Sequence, residues 1–328
     1  MLNFKTVATA AICIFCFLTG CGKATPNEPK KTSVVVTTVP LCDWTRAIAG
    51  KNADDIEITV LQDAGGDLHD YRPSARDIVA IGKADLFVCI GGVSDAWVPG
   101  VLRQSENKKR KTASALELVK DSIAKECRGA CSHRHGDHRH GHDSHACREE
   151  TPDEHIWLSL RLAKKICMGI AAALAESRPD RKDAFLENAK AYCRELDAID
   201  ASFSKHAASA TNKTILVADR FPFVHFTNDY GLGHFAAFEG CSAEIDASFH
   251  TVMALSKTLV ELNLPAIYTI EGSDSKIAKR IVETSGRKET KILRLDSMQN
   301  VSLKEFDSLG GYTGIMKKNI EAIKSSVR

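Results

Sequence analysis

The chain has 328 residues, of which 44% are hydrophobic, 26% charged and 6% aromatic, with 44 basic against 42 acidic side chains. So ordinary a composition excludes wholesale disorder, collagen-like repeats and a polytopic membrane protein. A net charge of +2 supplies no basic field for nucleic acid and no acidic excess for a cationic partner. The length predicts two domains, and the unusual entries are 12 His and 11 Cys.

Residues 1–20 hold one charge, Lys5, before an apolar run from Val7 to Leu18 that is the length of a secretory signal and short for a membrane span. The run ends in Leu18-Thr19-Gly20-Cys21, which resembles the lipobox of bacterial lipoproteins and predicts cleavage before Cys21 with lipid on its sulfur. Residues 21–32 are a polar, Pro-containing tether with nothing to build a core. The folded body is expected from Ser33, outside the cytoplasmic membrane, on the periplasmic side or at the cell surface. Cys13 and Cys16 leave with the signal. Eight cysteines then remain for disulfides of unassigned pairing, or, for Cys167 and Cys193, for the core.

From Ser33 strands and helices alternate. Strands are predicted at 33–39, 56–62 and 85–92, with helices closing at Gly50, over 74–84 behind a Ser74 cap, and near 96–104. Residues 121–150 are polar, Cys-containing and His-rich and read as a long irregular loop. Helical periodicity returns from Ile156 to Ser177, Pro179 interrupts it, and one long amphipathic helix follows from Arg181 to about Ala208. The alternation then repeats, with strands at 214–219, 234–240, 266–272 and 291–297 and helices at 223–229, 247–263, 275–285 and from Tyr312 to the end. This predicts two small parallel-sheet α/β lobes, 33–180 (with a His-rich loop at 127–147) and 209–328, joined by a helix at 181–208. Ligands of open α/β sheets sit at the carboxyl ends of strands, so a cleft is expected where those ends face each other.

Three residues fall at such ends. His69 follows the second strand in GGDLHDYRPS, His155 opens a helix in TPDEHIWLSL, and Asp296 ends KILRLDS. Each alone reads equally well as a loop or cap residue. Together they make an N, N, O set that suits a divalent transition metal rather than Ca²⁺ or Mg²⁺.

The segments HDYRPSARDI, DEHIWLSLRLAKKI, LPAIYTIEGSDSKIAKRIVE, LRLDSM and YTGIMKKNIEAIKSS, in this order and with the long helix between them, resemble the zinc and manganese solute-binding lipoproteins of bacterial metal ABC transporters, the ZnuA/TroA-like family. The resemblance covers Ser33 to Arg328. It implies two α/β lobes on a rigid backbone helix, one metal in the cleft held by His69, His155 and Asp296, a membrane permease as partner, a monomer and no catalysis. The family's further His or Glu falls in DRFPFVHFTNDYGL, where Arg220 stands instead, and a guanidinium cannot ligate a cation. Asp219, His225, Glu244 and Glu271 are the nearest replacements, with a water as the alternative fourth ligand, and Arg220 is expected to pair with Glu244 or Glu271 and brace the cleft.

The tract SHRHGDHRHGHDSH places His133, His135, His138, His140, His142 and His145 within a segment free of apolar side chains. Such tracts bind Zn²⁺, Ni²⁺ or Cu²⁺ weakly and in many arrangements, or act as a solvated pH-responsive loop. Zinc-type relatives carry such a loop before the second ligand His, which tilts the expected cargo to Zn²⁺ over Mn²⁺. Alternatives are a manganese-preferring member, a metal-binding surface adhesin, or a zinc hydrolase with Glu154 as base. The last is disfavoured by the lack of HExxH, GxSxG and GxxxxGK[ST] in the sequence.

Overall fold

The apolar run at 33–39 does not stay extended to its end. In the computed structural model, which describes residues 31–51, 53–105, 107, 109–130 (backbone only at 124–130), 152–238 and 247–328, strand β1 is Thr32–Val36, and helix α1, Val39–Ala49, follows with Pro40 in its first turn. Proline is pre-set for that position because its missing N–H has no helical partner there. The remaining first-half elements are β2 (Ile56–Val60), α2 (Ala75–Lys83), β3 (Leu86–Cys89), α3 (Val98–Gln104), β4 (Lys111–Ser114), α4 (Ala115–Ala130) and α5 (Leu160–Ser177). Helix α6, Lys182–Ser209, spans 28 residues, about 42 Å at 1.5 Å per residue. The second half adds β5 (Thr214–Arg220), α7 (Val224–Tyr230), β6 (Gly233–Phe238), α8 (Phe249–Glu261), β7 (Ala266–Thr269), α9 (Lys276–Ser285), β8 (Lys291–Arg294), α10 (Leu303–Ser308) and α11 (Gly311–Ile323).

The strands form two four-stranded sheets, ordered β2-β1-β3-β4 and β6-β5-β7-β8, parallel throughout. Each sheet buries an outer face under two helices. In the first, Val35, Phe87 and Cys89 pack with Ile81 of α2 and Val98 and Val101 of α3. In the second, Leu216 and Ile267 pack with Leu255 and Leu259 of α8 and Ile281 of α9. The inner faces share one continuous core that runs from Val34 and Trp44 through Trp157, Phe185 and Phe203 to Ile215, Tyr268 and Tyr312. Phe185 and Phe203, both fully buried, come from the two ends of α6. That helix packs on α1 and α5 of the first half and on α7 and α11 of the second. Bending it would open apolar surface to water, at roughly 25 cal/mol per Å².

Further elements differ from the sequence reading, among them α10, which no expected helix covered. Residues 121–130 are helical, as the end of α4, and not the start of an irregular loop. Val119 and Ile123, one turn apart, are the buried stripe that holds it. Strand β4 is short and its Lys111 and Thr112 are exposed, so no alternating pattern announced it. Among the described residues Cys42, Cys89, Cys167 and Cys193 are free thiols, with Cys167 fully buried and Cys193 half-buried. No described helix is long and apolar enough to cross a membrane. Cys21, Glu244 and the six histidines of 133–145 lie outside the described residues.

Candidate metal centre

Loops at the carboxyl ends of both sheets carry the expected residues. After β2, Asp67 caps a single 3-10 turn, Leu68–Asp70, by accepting the His69 backbone N–H at 3.0 Å. Its second oxygen accepts from Arg220 Nη1 at 2.7 Å. Burial resists ionisation of Asp67, but Arg220 and the His69 N–H outweigh it and hold the carboxyl below its usual range. Arg220, at the end of β5, thus joins the second sheet to the loop that holds His69. Asp67 is a carboxylate partner that the sequence reading did not name; of the two it did name, Glu244 lies outside the described residues.

After β3, Ser94 donates its backbone N–H and its hydroxyl to Glu154, at 2.9 and 2.6 Å. Glu154 Oε1 also stands 3.0 Å from His69 Nδ1. Burial opposes the charge on Glu154, yet the His69 and Ser94 hydrogen bonds prevail and lower its pKa. A carboxylate on Nδ1 fixes the proton there and directs Nε2 outward, as buried carboxylates do behind metal-binding histidines. Gly92 is needed for this approach: a Cβ there would stand 2.1 Å from Glu154 Oε2 and 2.6 Å from Glu154 Cβ.

His155 repeats the device. Its Nδ1 lies 2.8 Å from Asp153 Oδ1, which also accepts the His155 backbone N–H at 2.9 Å. Asp153 ionises against the cost of its burial because His155 bonds it, and its pKa is lowered. His225 of α7 backs the same turn, with Nε2 2.9 Å from the Asp153 carbonyl oxygen. The rings of His69 and His155 stand 5.4 Å apart edge to face. The stability that Asp67, Asp153 and Glu154 contribute is present above the ordinary carboxylate pKa and is lost as pH falls through their depressed values.

The second sheet brings Glu271 and Asp296. Glu271 accepts the Ser297 N–H at 2.7 Å, the Ser297 hydroxyl at 2.5 Å and the Gln299 N–H at 3.2 Å. Asp296 Oδ1 accepts the Met298 N–H at 2.8 Å, and Asn319 clamps the Asp296 backbone from both sides, at 2.8 and 2.7 Å. Burial raises both pKa values, and for Glu271 the Asp296 charge adds to the rise. A cation near this pair would reverse the effect. Among the described residues no group of three or more His, Cys, Asp or Glu side chains is assembled to hold a metal. His69 and His155 are together, and the side chain from the second sheet that meets His69 is Gln299, with Oε1 2.9 Å from Nε2.

The sequence reading missed Ser94 and Gln299, and gave Asp153 and Glu154 no part in orienting the histidines. The adjacency Asp153-Glu154-His155 was the available signal. Nothing local marks Ser94 or Gln299, whose partners are 60 and 230 residues away.

Asp95, beside Ser94, accepts the Gly91 N–H at 2.9 Å and is 3% exposed. Burial raises its pKa from 3.8 to about 6, with Glu154 adding repulsion. A raised carboxylate contributes stability fully below its unfolded pKa and loses it as pH rises through the folded one. Asp95→Asn is therefore expected to unfold at higher denaturant than the wild type at pH 7.5, by on the order of 2 kcal/mol. The gap should narrow as pH falls below about 6 and close at about pH 3, under the unfolded carboxylate's pKa. A gap independent of pH would show that Asp95 stays ionised without cost.

A family model described as zinc-uptake complex component A, periplasmic (ZnuA), matches residues 34–326. The zinc-binding lipoprotein AdcA of Streptococcus pneumoniae is 28% identical over 97% of this chain, which spans only 60% of that relative's length. The high-affinity zinc uptake system protein ZnuA of Bacillus subtilis is 28% identical over 99% of this chain and 98% of its own. The crystal structure of the Zn(II)-bound ZnuA-like domain of S. pneumoniae AdcA superposes with a TM-score of 0.70 at 26% identity, covering 90% of this chain and 99% of that domain. The periplasmic zinc-binding protein TroA from Treponema pallidum shares the fold, with a TM-score of 0.70 at 22% identity, covering 90% and 99%.

Proposed function

The chain belongs to the ZnuA family of periplasmic zinc-uptake components, and on that premise we propose that it captures Zn²⁺ outside the cytoplasm and hands it to the membrane permease of an ABC importer. One observation carries this reading. Two histidines from neighbouring loops stand with rings 5.4 Å apart, and each has Nδ1 on its own carboxylate, His69 on the buried Glu154 and His155 on the half-buried Asp153. That arrangement orients each ring through Nδ1 and leaves Nε2 as the nitrogen assigned to the metal. Asp296 completes the N, N, O set, and such a set holds Zn²⁺ more tightly than Mn²⁺. We assign Arg220 to bracing the His69 loop through Asp67, and His225 and Glu271 to support.

Residues 33–180 and 209–328 are read as the lobes, 181–208 as the strut, and Cys21 as the lipidated anchor of a monomer. The shared core supports small lobe movements on release. The family is one of transport components and not of enzymes. Accordingly, the pure protein is expected to show no metal-dependent hydrolysis.

The His-rich tract is assigned to collecting or sensing Zn²⁺ near the cleft mouth. Deleting residues 132–145 should remove the weak metal equivalents seen by calorimetric titration and leave one tight site. Loss of the tight site on deletion would sink this division of labour.

A further inference from the structure

The loop after β8 reaches across the cleft. We propose that Gln299 is an internal competitor for the metal: its side-chain amide occupies the Nε2 position of His69 and must leave before Zn²⁺ is held there. The proposal rests on the reading of His69 as a ligand.

The geometry makes this a held contact. Gln299 is 8% exposed and stands 2.9 Å from His69 Nε2, the nitrogen opposite the one that faces Glu154. Its Nε2 donates to Ser297 Oγ at 3.0 Å, and its backbone N–H to Glu271. The preceding Met298 is buried and has φ of 60°. A bulky side chain in the left-handed region is strained by roughly 1 kcal/mol or more. Such a conformation persists only where neighbours impose it, and here Glu271 accepts the N–H groups on both sides of Met298. The same two loops meet again where Gly66 N–H donates to Asn300 Oδ1 at 2.9 Å, and Leu303 N–H to Asp63 O at 3.0 Å. Gln299 is thus the inner member of a seam that joins the His69 loop to the opposite sheet.

A primary amide presents either an oxygen or an NH₂ group, so it can satisfy Nε2 whether or not that nitrogen carries a proton. Displacing it costs the same hydrogen bond whichever metal arrives. Gln299 therefore sets affinity and leaves selectivity among metals unchanged.

The test is competitive chelator titration of the purified full chain and of Gln299→Leu, with Zn²⁺ and with Mn²⁺, beside His69→Ala. The leucine should bind both metals tighter by a common factor of about five, the value of one ordinary hydrogen bond. It should also melt earlier than the wild type when metal-free. A merely structural loss would weaken binding and stability together, so opposite signs are the signature. Gln299→Ala, which adds no bulk, should move both readouts in the same directions. Unchanged or weaker binding in both Gln299 variants, with His69→Ala abolishing tight binding, overturns the competitor role and spares the metal site. Unchanged binding in His69→Ala overturns the site, and the competitor role with it.

Discussion

His155→Ala should lower Zn²⁺ affinity by more than about 100-fold. Removing an outer partner of a metal ligand typically costs 10–100-fold, and His155 is read as a ligand itself. Its ring is 2% exposed, held by Asp153 at Nδ1, and packed edge-on against Trp157 at 5.2 Å. With Nδ1 held by Asp153, Nε2 is the ring nitrogen assigned to the metal, and alanine has no donor to offer in its place. Asp153→Ala should fall in the 10–100-fold range, because it frees the ring without removing it. Chelator competition in the loop-deleted chain measures both without interference from the tract at 132–145. Equal losses in the two variants would mean that Asp153 ligates directly. No loss in His155→Ala would remove His155 from the site.

Trp157→Ala should destabilise the fold by about 3–5 kcal/mol, the usual cost of emptying a large buried aromatic site. Trp157 is 1% exposed, and its indole N–H donates to the Ser297 carbonyl of the opposite sheet at 2.8 Å. Tyr312, fully buried, donates its hydroxyl to the Trp157 carbonyl at 2.6 Å and meets Trp44 edge-on at 5.0 Å. These rings tie the two sheets together beneath the histidines. Alanine leaves a cavity and a buried carbonyl without its donor. Phenylalanine fills most of the space and loses only the hydrogen bond, at roughly 1 kcal/mol. Equilibrium denaturation separates the two. A Trp157→Ala loss below about 1 kcal/mol would show that the sheets are held elsewhere.

The repeated strand and helix pattern was legible because parallel sheets covered on both faces need β-branched runs such as 33–36 and 214–217, separated by amphipathic stretches. The long helix was legible from its stripe of Phe185, Ala189, Leu196, Ile199 and Phe203, all buried. The helical turns at 121–130 were hidden because few apolar positions hold them. His69, His155 and Asp296 stood out as potential donors at strand or helix ends. Asp153 and Glu154 were visible as charges, but their task is set by contacts across the fold, His69 with Glu154 above all. Arg220 was legible as a departure from the family pattern. Its contact with Asp67, 153 residues away, was not, because only the folded chain puts the two loops side by side.

The central claim is one Zn²⁺ held between His69 and His155 in the cleft. Its most direct test is metal analysis of the mature chain lacking residues 132–145, combined with competitive titration by Zn²⁺ and Mn²⁺. The account predicts one tight Zn²⁺ equivalent per chain that excess Mn²⁺ does not displace and that is lost in His69→Ala and His155→Ala. Displacement by equimolar Mn²⁺, or a tight equivalent that survives both substitutions, would contradict it.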